Sequence, residues 1–117
     1  MSSLFEYSDF NGDISKWDVS NVTNMEDMFF RSEFNGDILN WDVSNVTNMA
    51  SMFFFCSKFN GDISNWNVSN VENMRYMFYG SVFNQDISNW DVSNVKFMFD
   101  MFHNCPIKEK YKPKFKK

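Results

Sequence analysis

Four tryptophans recur along this chain at a nearly constant spacing. They occupy positions 17, 41, 66 and 90, which are 24, 25 and 24 residues apart, and nearly the same residues surround each of them. The chain therefore contains four consecutive repeats, numbered 1 to 4 here, which begin at Phe10, Phe34, Phe59 and Phe83. A unit of this length cannot bury its own apolar face and must pack on copies of itself. The period predicts a solenoid, whose function resides in surfaces.

The apolar residues change their spacing within each repeat. In repeat 1, Trp17 and Val19 alternate with polar residues, which is typical of a short strand with one buried face. From Val22 onwards the apolar residues follow at intervals of three, three and one, which is typical of an amphipathic helix. The pattern predicts an α/β solenoid: a stack of about four strand–helix coils of 24–25 residues, with their strands in one parallel sheet.

The charge is distributed unevenly. The net charge is −4, but residues 1–107 hold five Lys/Arg against fourteen Asp/Glu, a net of −9, whereas residues 108–117 hold six Lys against one Glu. An acidic body repels phosphates, so we expect no nucleic-acid partner. We expect residues 1–105 to form the repeat domain and residues 106–117, which open with a proline, to be a C-terminal cap and basic tail.

The opening residues resemble the end of a repeat. Residues 4–10 align with residues 28–34, so residues 1–9 form a partial unit in front of repeat 1. Its upstream face would be open, and two copies could stack end to end as a homodimer. The sequence lacks the run of about 18 apolar residues that a membrane span requires, so we expect no membrane-spanning segment.

Cysteine, methionine and histidine are the residues that could hold a metal or a cofactor. Cys56 and Cys105 lie two repeats apart, about 10 Å at strand spacing, so we expect two free, buried thiols. The eight methionines of the four Met-x-x-Met pairs fit a core better than a copper site. His103 is the single histidine and has no catalytic partner nearby in the sequence. We therefore expect no enzyme activity, no metal and no cofactor.

We call the residues at one position of successive repeats a column. Two columns are polar in every repeat. Asp18, Asp42, Asn67 and Asp91 would project from the strand face as a polar ribbon. This ribbon is a candidate binding site for a cationic protein segment, a glycan or a divalent cation, and its alternative is a solvated sheet face. The second column is predicted to accept backbone N–H groups in a turn rather than to bind calcium. It comprises Asp13, Asp37, Asp62 and Asp86.

Aromatic residues and arginines occupy positions that vary between repeats. A scaffold residue should recur in every repeat, whereas a binding residue need not. Phe54, Tyr76 and Tyr79 are therefore candidate interface residues, because aromatic and arginine side chains dominate interaction hot spots. The alternative is that these rings only pack between successive repeats.

The pattern Trp-Asp-Val-Ser-Asn-Val-Thr-Asn-Met, seen at 17–25 and 41–49 and with substitutions at 66–74 and 90–98, resembles a known repeat family. It is similar to the BspA-like leucine-rich repeats of bacterial surface proteins, and the similarity covers residues 4–105. The resemblance implies a right-handed solenoid of leucine-rich-repeat type, a secreted or cell-surface location, and roles in adhesion and partner binding. It implies no catalytic residues.

Together these features predict a non-enzymatic protein-interaction or adhesion module of a bacterial surface protein. Its partner would be a protein or a glycan. Residues 1–10 lack the layout of a secretory signal, so the surface location depends on the resemblance. The alternatives are an intracellular structural or scaffold repeat protein and a divalent-cation-binding solenoid.

Overall fold

Successive repeats lie against one another and are joined at equivalent backbone positions. A computed structural model describes residues 1–115 of the chain. Single-residue parallel bridges link Asn24 to Asn48, Asn48 to Asn73, and Asn73 to Phe97. Beside the first bridge, the amide of Thr47 donates to the carbonyl of Thr23 at 2.8 Å. Each repeat is therefore bonded to the next repeat along the chain.

The predicted strand–helix coil and its parallel sheet are wrong. Within residues 1–115 the bridges involve single residues, and the one helical element is the 3₁₀ turn Glu109–Tyr111. The segment 26–31, predicted as helix, is a series of turns, and residues 17–19, predicted as strand, belong to no ladder. The chain is a compact body with a radius of gyration of 12.7 Å and extents of 38 × 30 × 20 Å, and not an α/β leucine-rich-repeat solenoid.

The turns differ from a helix in where their amides donate. In residues 25–32, the odd-numbered amides donate to carbonyls of the next repeat, and the amides of Met28, Phe30 and Ser32 donate three residues back. The amide of Glu26 donates to the side chain of Asn24. In this segment the amides that donate to repeat 2, each given before its acceptor, are those of Met25 to Asn48, Asp27 to Ala50, Phe29 to Met52 and Arg31 to Phe54, at 2.7–3.0 Å. The pairs within repeat 1 are Met28 with Met25, Phe30 with Asp27, and Ser32 with Phe29, at 2.9–3.2 Å. An α-helix would bond its amides four residues back within itself, so this segment cannot be one.

This alternation requires residues with positive φ at two columns of every repeat. They are Ser3, Tyr7, Asp27, Arg31, Ser51, Phe55, Tyr76, Gly80, Asp100 and Asn104. A side chain in the left-handed region costs roughly 1–2 kcal/mol, so glycine usually marks such positions. Here Gly80 alone does so, and the sequence therefore lacks the usual signal of these turns.

A stack of phenylalanines forms the centre of the core. One ring from each unit lies on the ring of the next, with centroids 5.4–5.7 Å apart and planes within 9° of parallel. This inner phenylalanine stack comprises Phe5, Phe29, Phe53, Phe78 and Phe102. The predicted methionine core is confirmed for seven of the eight residues, and Met98 is half-buried. The repeats are therefore held together mainly by apolar side chains that share one interior.

The tryptophans combine burial with a hydrogen bond to the preceding repeat. The indole N–H of Trp41 donates to the carbonyl of Ile14 at 3.0 Å, and Trp66 and Trp90 make the equivalent bond. These three rings are buried, whereas Trp17 is 39 % exposed. A buried indole needs an acceptor for its N–H, which explains why the tryptophan recurs with the repeat.

Both cysteines are free, as predicted. Cys56 is buried and its thiol donates to the carbonyl of Phe29, and burial raises its pKa to about 12. Cys105 was predicted to be buried but is half-buried. Burial also raises the pKa of the Cys105 thiol, which donates to the carbonyl of Phe83.

The chain after Pro106 lies against repeat 4. Ile107 is buried, and the amide of Ile87 donates to the carbonyl of Tyr111 at 3.0 Å. The rings of Tyr111 and Phe115 pack on the core. These contacts involve the predicted cap, 106–117, whose residues 116–117 lie outside the described part.

The opposite end of the array exposes apolar side chains. Leu4 is 51 % exposed and Phe10 is 37 % exposed. The end-to-end homodimer stays a prediction. No helix found in residues 1–115 has both the length and the apolar character needed to cross a lipid bilayer.

Replacing Ser51 with glycine should stabilise the protein by about 1 kcal/mol, because it removes a side chain from the left-handed region. Ser51 has φ of 56°. The neighbouring Ala50→Gly variant is the control, since Ala50 is not among the positive-φ residues and should lose about 0.5–1 kcal/mol. Urea denaturation of both variants measures the difference. Equal destabilisation by the two substitutions would contradict the left-handed turn at Ser51.

Candidate interaction surface

A second stack of aromatic rings runs along the outside of the array. Phe30 and Phe54 lie 4.6 Å apart with planes 1° from parallel, and Tyr79 stacks on Phe54 at 5.0 Å. The ring of His103 stacks on Tyr79 at 5.0 Å. Each of these residues follows an inner phenylalanine in the sequence, so the outer stack follows the same repeat as the inner one. We call Phe30, Phe54, Tyr79 and His103 the outer aromatic stack.

Tyr76 joins this stack edge-on. Its ring lies 6.4 Å from that of Phe54, 5.8 Å from that of Tyr79 and 5.6 Å from that of Phe99. The structure thus brings together the three predicted interface residues, Phe54, Tyr76 and Tyr79, and leaves each half-buried. Their rings pack between repeats and also meet solvent.

Two arginines lie over aromatic rings on the same surface. The guanidinium carbon of Arg31 is 4.9 Å from the ring centre of Phe55 and 6.0 Å from that of Phe54. The guanidinium carbon of Arg75 is 5.0 Å from the ring centre of Phe97. Such cation–π contacts hold the long arginine side chains in place, which lowers the entropy that they lose on binding.

The predicted polar ribbon belongs to turns and not to a sheet face. Each member is exposed, and its side-chain oxygen accepts the amide of the serine two residues later. These pairs are Asp18 with Ser20, Asp42 with Ser44, Asn67 with Ser69, and Asp91 with Ser93. Hydrogen bonds from the serine hydroxyl and amide lower the pKa of the Asp18 and Asp42 carboxyls. The column therefore stabilises a turn in each repeat.

The second acidic column has the role predicted for it. Asp13 accepts the amide of Ser15 at 2.9 Å, and Asp37, Asp62 and Asp86 accept the equivalent amides. The serine hydroxyl and amide lower the pKa of the Asp13 carboxyl. Over residues 1–115, His, Cys, Asp and Glu side chains form no group of three or more that could hold a metal ion.

A groove crosses the surface where repeat 2 has two small residues. Ala50 and Ser51 occupy columns that hold Glu26 and Asp27 in repeat 1 and Arg75 and Tyr76 in repeat 3. An open volume of about 360 Å³ lies among these residues and extends to Phe30. We call this groove the repeat 2 notch. Sequence reasoning missed the notch, although two adjacent columns that change from acidic to small to basic or aromatic were a signal of it.

The acidic side of the notch carries two carboxylates, those of Glu26 and Asp27. Burial raises the pKa of the Asp27 carboxyl, and the neighbouring carboxylates of Glu26 and Glu6 raise it further. The ion pairs found in residues 1–115 involve Glu33, Glu72 and Glu109, and thus neither Glu26 nor Asp27. Asn48 donates a long hydrogen bond of 3.4 Å to the Glu26 carboxylate. Negative charge is therefore held beside the aromatic surface.

Residues 1–114 match the model of a family described as Mycoplasma protein of unknown function, DUF285. The match covers the partial unit, all four repeats and the chain after Pro106 as far as residue 114. No curated protein matches the chain, and no solved structure matches it.

Asp27→Asn should make the protein more stable at pH 7. A raised pKa in the folded state means that Asp27 supports folding only while it is protonated, below its unfolded pKa of about 3.9. This contribution is lost as the pH rises through the folded pKa. Asparagine is uncharged and tolerates the φ of 59° at this position. Urea denaturation should show a gain at pH 7 that shrinks towards pH 3.

The control for this prediction is Asp13→Asn. The pKa of the Asp13 carboxyl is lowered in the folded state, so its charge supports folding above the unfolded pKa and this support is lost as the pH falls. Asp13→Asn should therefore lose stability at pH 7. An Asp27→Asn variant that is no more stable than the parent protein at pH 7 would refute the electrostatic account of the notch.

Proposed function

The chain belongs to the DUF285 family of Mycoplasma proteins, and we propose that it is a non-enzymatic module that binds a protein partner through its outer aromatic surface. The observation that carries this proposal is the continuous stack of half-exposed rings at Phe30, Phe54 and Tyr79. Over residues 1–115, these three rings belong neither to the buried core nor to the partly buried side chains packed against it, so the core does not account for them.

The stacked arrangement favours binding for an energetic reason. Aromatic rings bring a large contact area, and rings fixed by their neighbours lose little conformational entropy when a partner covers them. Tyrosine and arginine are also the residues that most often dominate protein interfaces. Arg31 and Tyr76 place both types beside the stack.

The groups that could perform catalysis have other contacts in this chain. The ring of His103 stacks on Tyr79, and the Cys56 thiol is buried with a raised pKa. Many of the recurring carboxylates, such as Asp13 and Asp18, accept hydrogen bonds from serines in turns. These contacts support a binding role over an enzymatic one.

A location on the cell surface and a role in adhesion are part of the proposal. The support is the likeness of the Trp-Asp-Val-Ser-Asn-Val-Thr-Asn-Met segments to repeats of BspA-like surface proteins. The mixture of aromatic and arginine side chains favours a protein partner over a glycan, since arginine and tyrosine together are typical of protein interfaces.

The test uses substitutions that the array already contains at the same column. Phe54→His and Tyr79→His each introduce the residue of repeat 4, and Tyr76→Ser introduces the residue of repeat 2. Binding to purified extracellular-matrix glycoproteins and bacterial envelope proteins is measured by surface plasmon resonance. Each variant should weaken binding at least tenfold, which is about 1.4 kcal/mol, while the melting temperature stays within a few degrees.

Leu39→Ser is the matched control, because it also introduces a residue found at its column in the other repeats and lies outside the aromatic surface. It should bind like the parent protein. Binding that survives all three aromatic substitutions, or that is lost only together with the folded state, would show that these rings serve packing alone.

A further inference from the structure

The repeat 2 notch combines three properties in one groove. The small residues Ala50 and Ser51 line it, and its volume is about 360 Å³. Aromatic rings border it at Phe30 and Tyr76. Its upstream side carries the carboxylates of Glu26 and Asp27, which form none of the ion pairs found in residues 1–115. An occupant that matches these properties is elongated, partly apolar and positively charged at its end.

We propose that the notch receives a lysine or arginine side chain of the protein partner, with its charged group at Glu26 and Asp27 and its alkyl stem along Phe30 and Tyr76. This inference rests on the proposed function, since it specifies the partner that the outer aromatic surface binds. Lysine and arginine side chains bury their methylene groups against apolar surface while the charged end stays near water or a carboxylate.

The charges around the notch favour a cation over an anion. Arg75, the basic residue that lines the groove, lies over the Phe97 ring at 5.0 Å. Burial raises the pKa of the Asp27 carboxyl, and repulsion from the carboxylates of Glu26 and Glu6 raises it further. A bound ammonium or guanidinium group would relieve this repulsion. The acidic body, with a net charge of −9 over residues 1–107, would also attract a basic segment from a distance.

The Asp27 carboxylate thus has opposite effects on the stability of the folded protein and on the affinity for a cation. The charge of Asp27 opposes folding at pH 7, whereas the proposed cation requires it. Asp27→Asn should therefore yield a protein that is more stable but binds a basic side chain less well, and a purely structural residue would not produce that pair of effects.

The experiment uses two defined probes on the full chain labelled with ¹⁵N. The basic probe is acetyl-Gly-Lys-Gly-Lys-Gly-amide, and the neutral control has glutamine at both lysine positions. At low salt the basic probe should shift the amide resonances of Ala50, Ser51 and Tyr76 with a saturable, millimolar affinity. The glutamine probe should not do so. Replacing lysine with arginine in the probe shows which of the two side chains is preferred.

Two variants examine the groove itself. Asp27→Asn should weaken the basic probe at least fivefold, and Ser51→Tyr, which introduces the residue of repeat 3, should fill the notch and abolish its binding. Equal shifts from the lysine and glutamine probes, or unchanged binding in both variants, would overturn the inference.

The partner assay separates this inference from the proposed function. Tyr79 is not among the residues that line the notch, so Tyr79→His changes the aromatic surface without replacing a residue of the notch. If Tyr79→His loses the macromolecular partner but Asp27→Asn retains it, the aromatic surface binds and the cation site is refuted. If the basic probe behaves as expected but Tyr79→His leaves partner binding intact, the notch binds a basic side chain and the proposed role of the aromatic surface is refuted.

Discussion

Stacking of one phenylalanine from each unit on the phenylalanine of the next fixes how the repeats of this protein meet. The rings of Phe29, Phe53 and Phe78 are fully buried, and neighbouring rings lie 5.4–5.7 Å apart along the whole inner stack. With the repeats at this separation, alternate amides reach carbonyls of the next repeat and the tryptophan indoles reach isoleucine carbonyls. These N–H groups thereby find acceptors without belonging to a sheet ladder or to an α-helix.

The core determines where the rings of the outer aromatic stack lie. Each outer ring is adjacent in sequence to an inner phenylalanine, so the two stacks follow the same repeat and run side by side. Residues that vary between repeats then become neighbours in space. This is how Glu26, Ala50 and Arg75, which are 24 and 25 residues apart, come to line one groove. A repeat protein can therefore build a site from columns, in which each repeat supplies a different chemical group.

The sequence was sufficient to predict the repeats, most of the buried residues and the turn role of the Asp13 column, because period and apolarity are visible directly. It was not sufficient to predict the backbone. The spacing of Met25, Met28 and Phe29 fits both a helix and a series of turns, and the positive φ of Asp27 and Arg31 lacks the glycine that would have signalled it. The notch was not predicted for a different reason. Its small residues indicate a groove only when they are compared with the larger residues at the same positions of the neighbouring repeats.

In the segments that follow Trp17, Trp41 and Trp66, alternate amides donate to the next repeat rather than four residues back within their own segment. Scalar couplings measured by NMR across hydrogen bonds identify the carbonyl that accepts a given amide. The amide of Phe53 donates to the carbonyl of Met77 at 2.9 Å, so a coupling between these two groups is expected. A coupling from the Phe53 amide to the carbonyl of Met49, four residues back, would show a helix and would contradict this account.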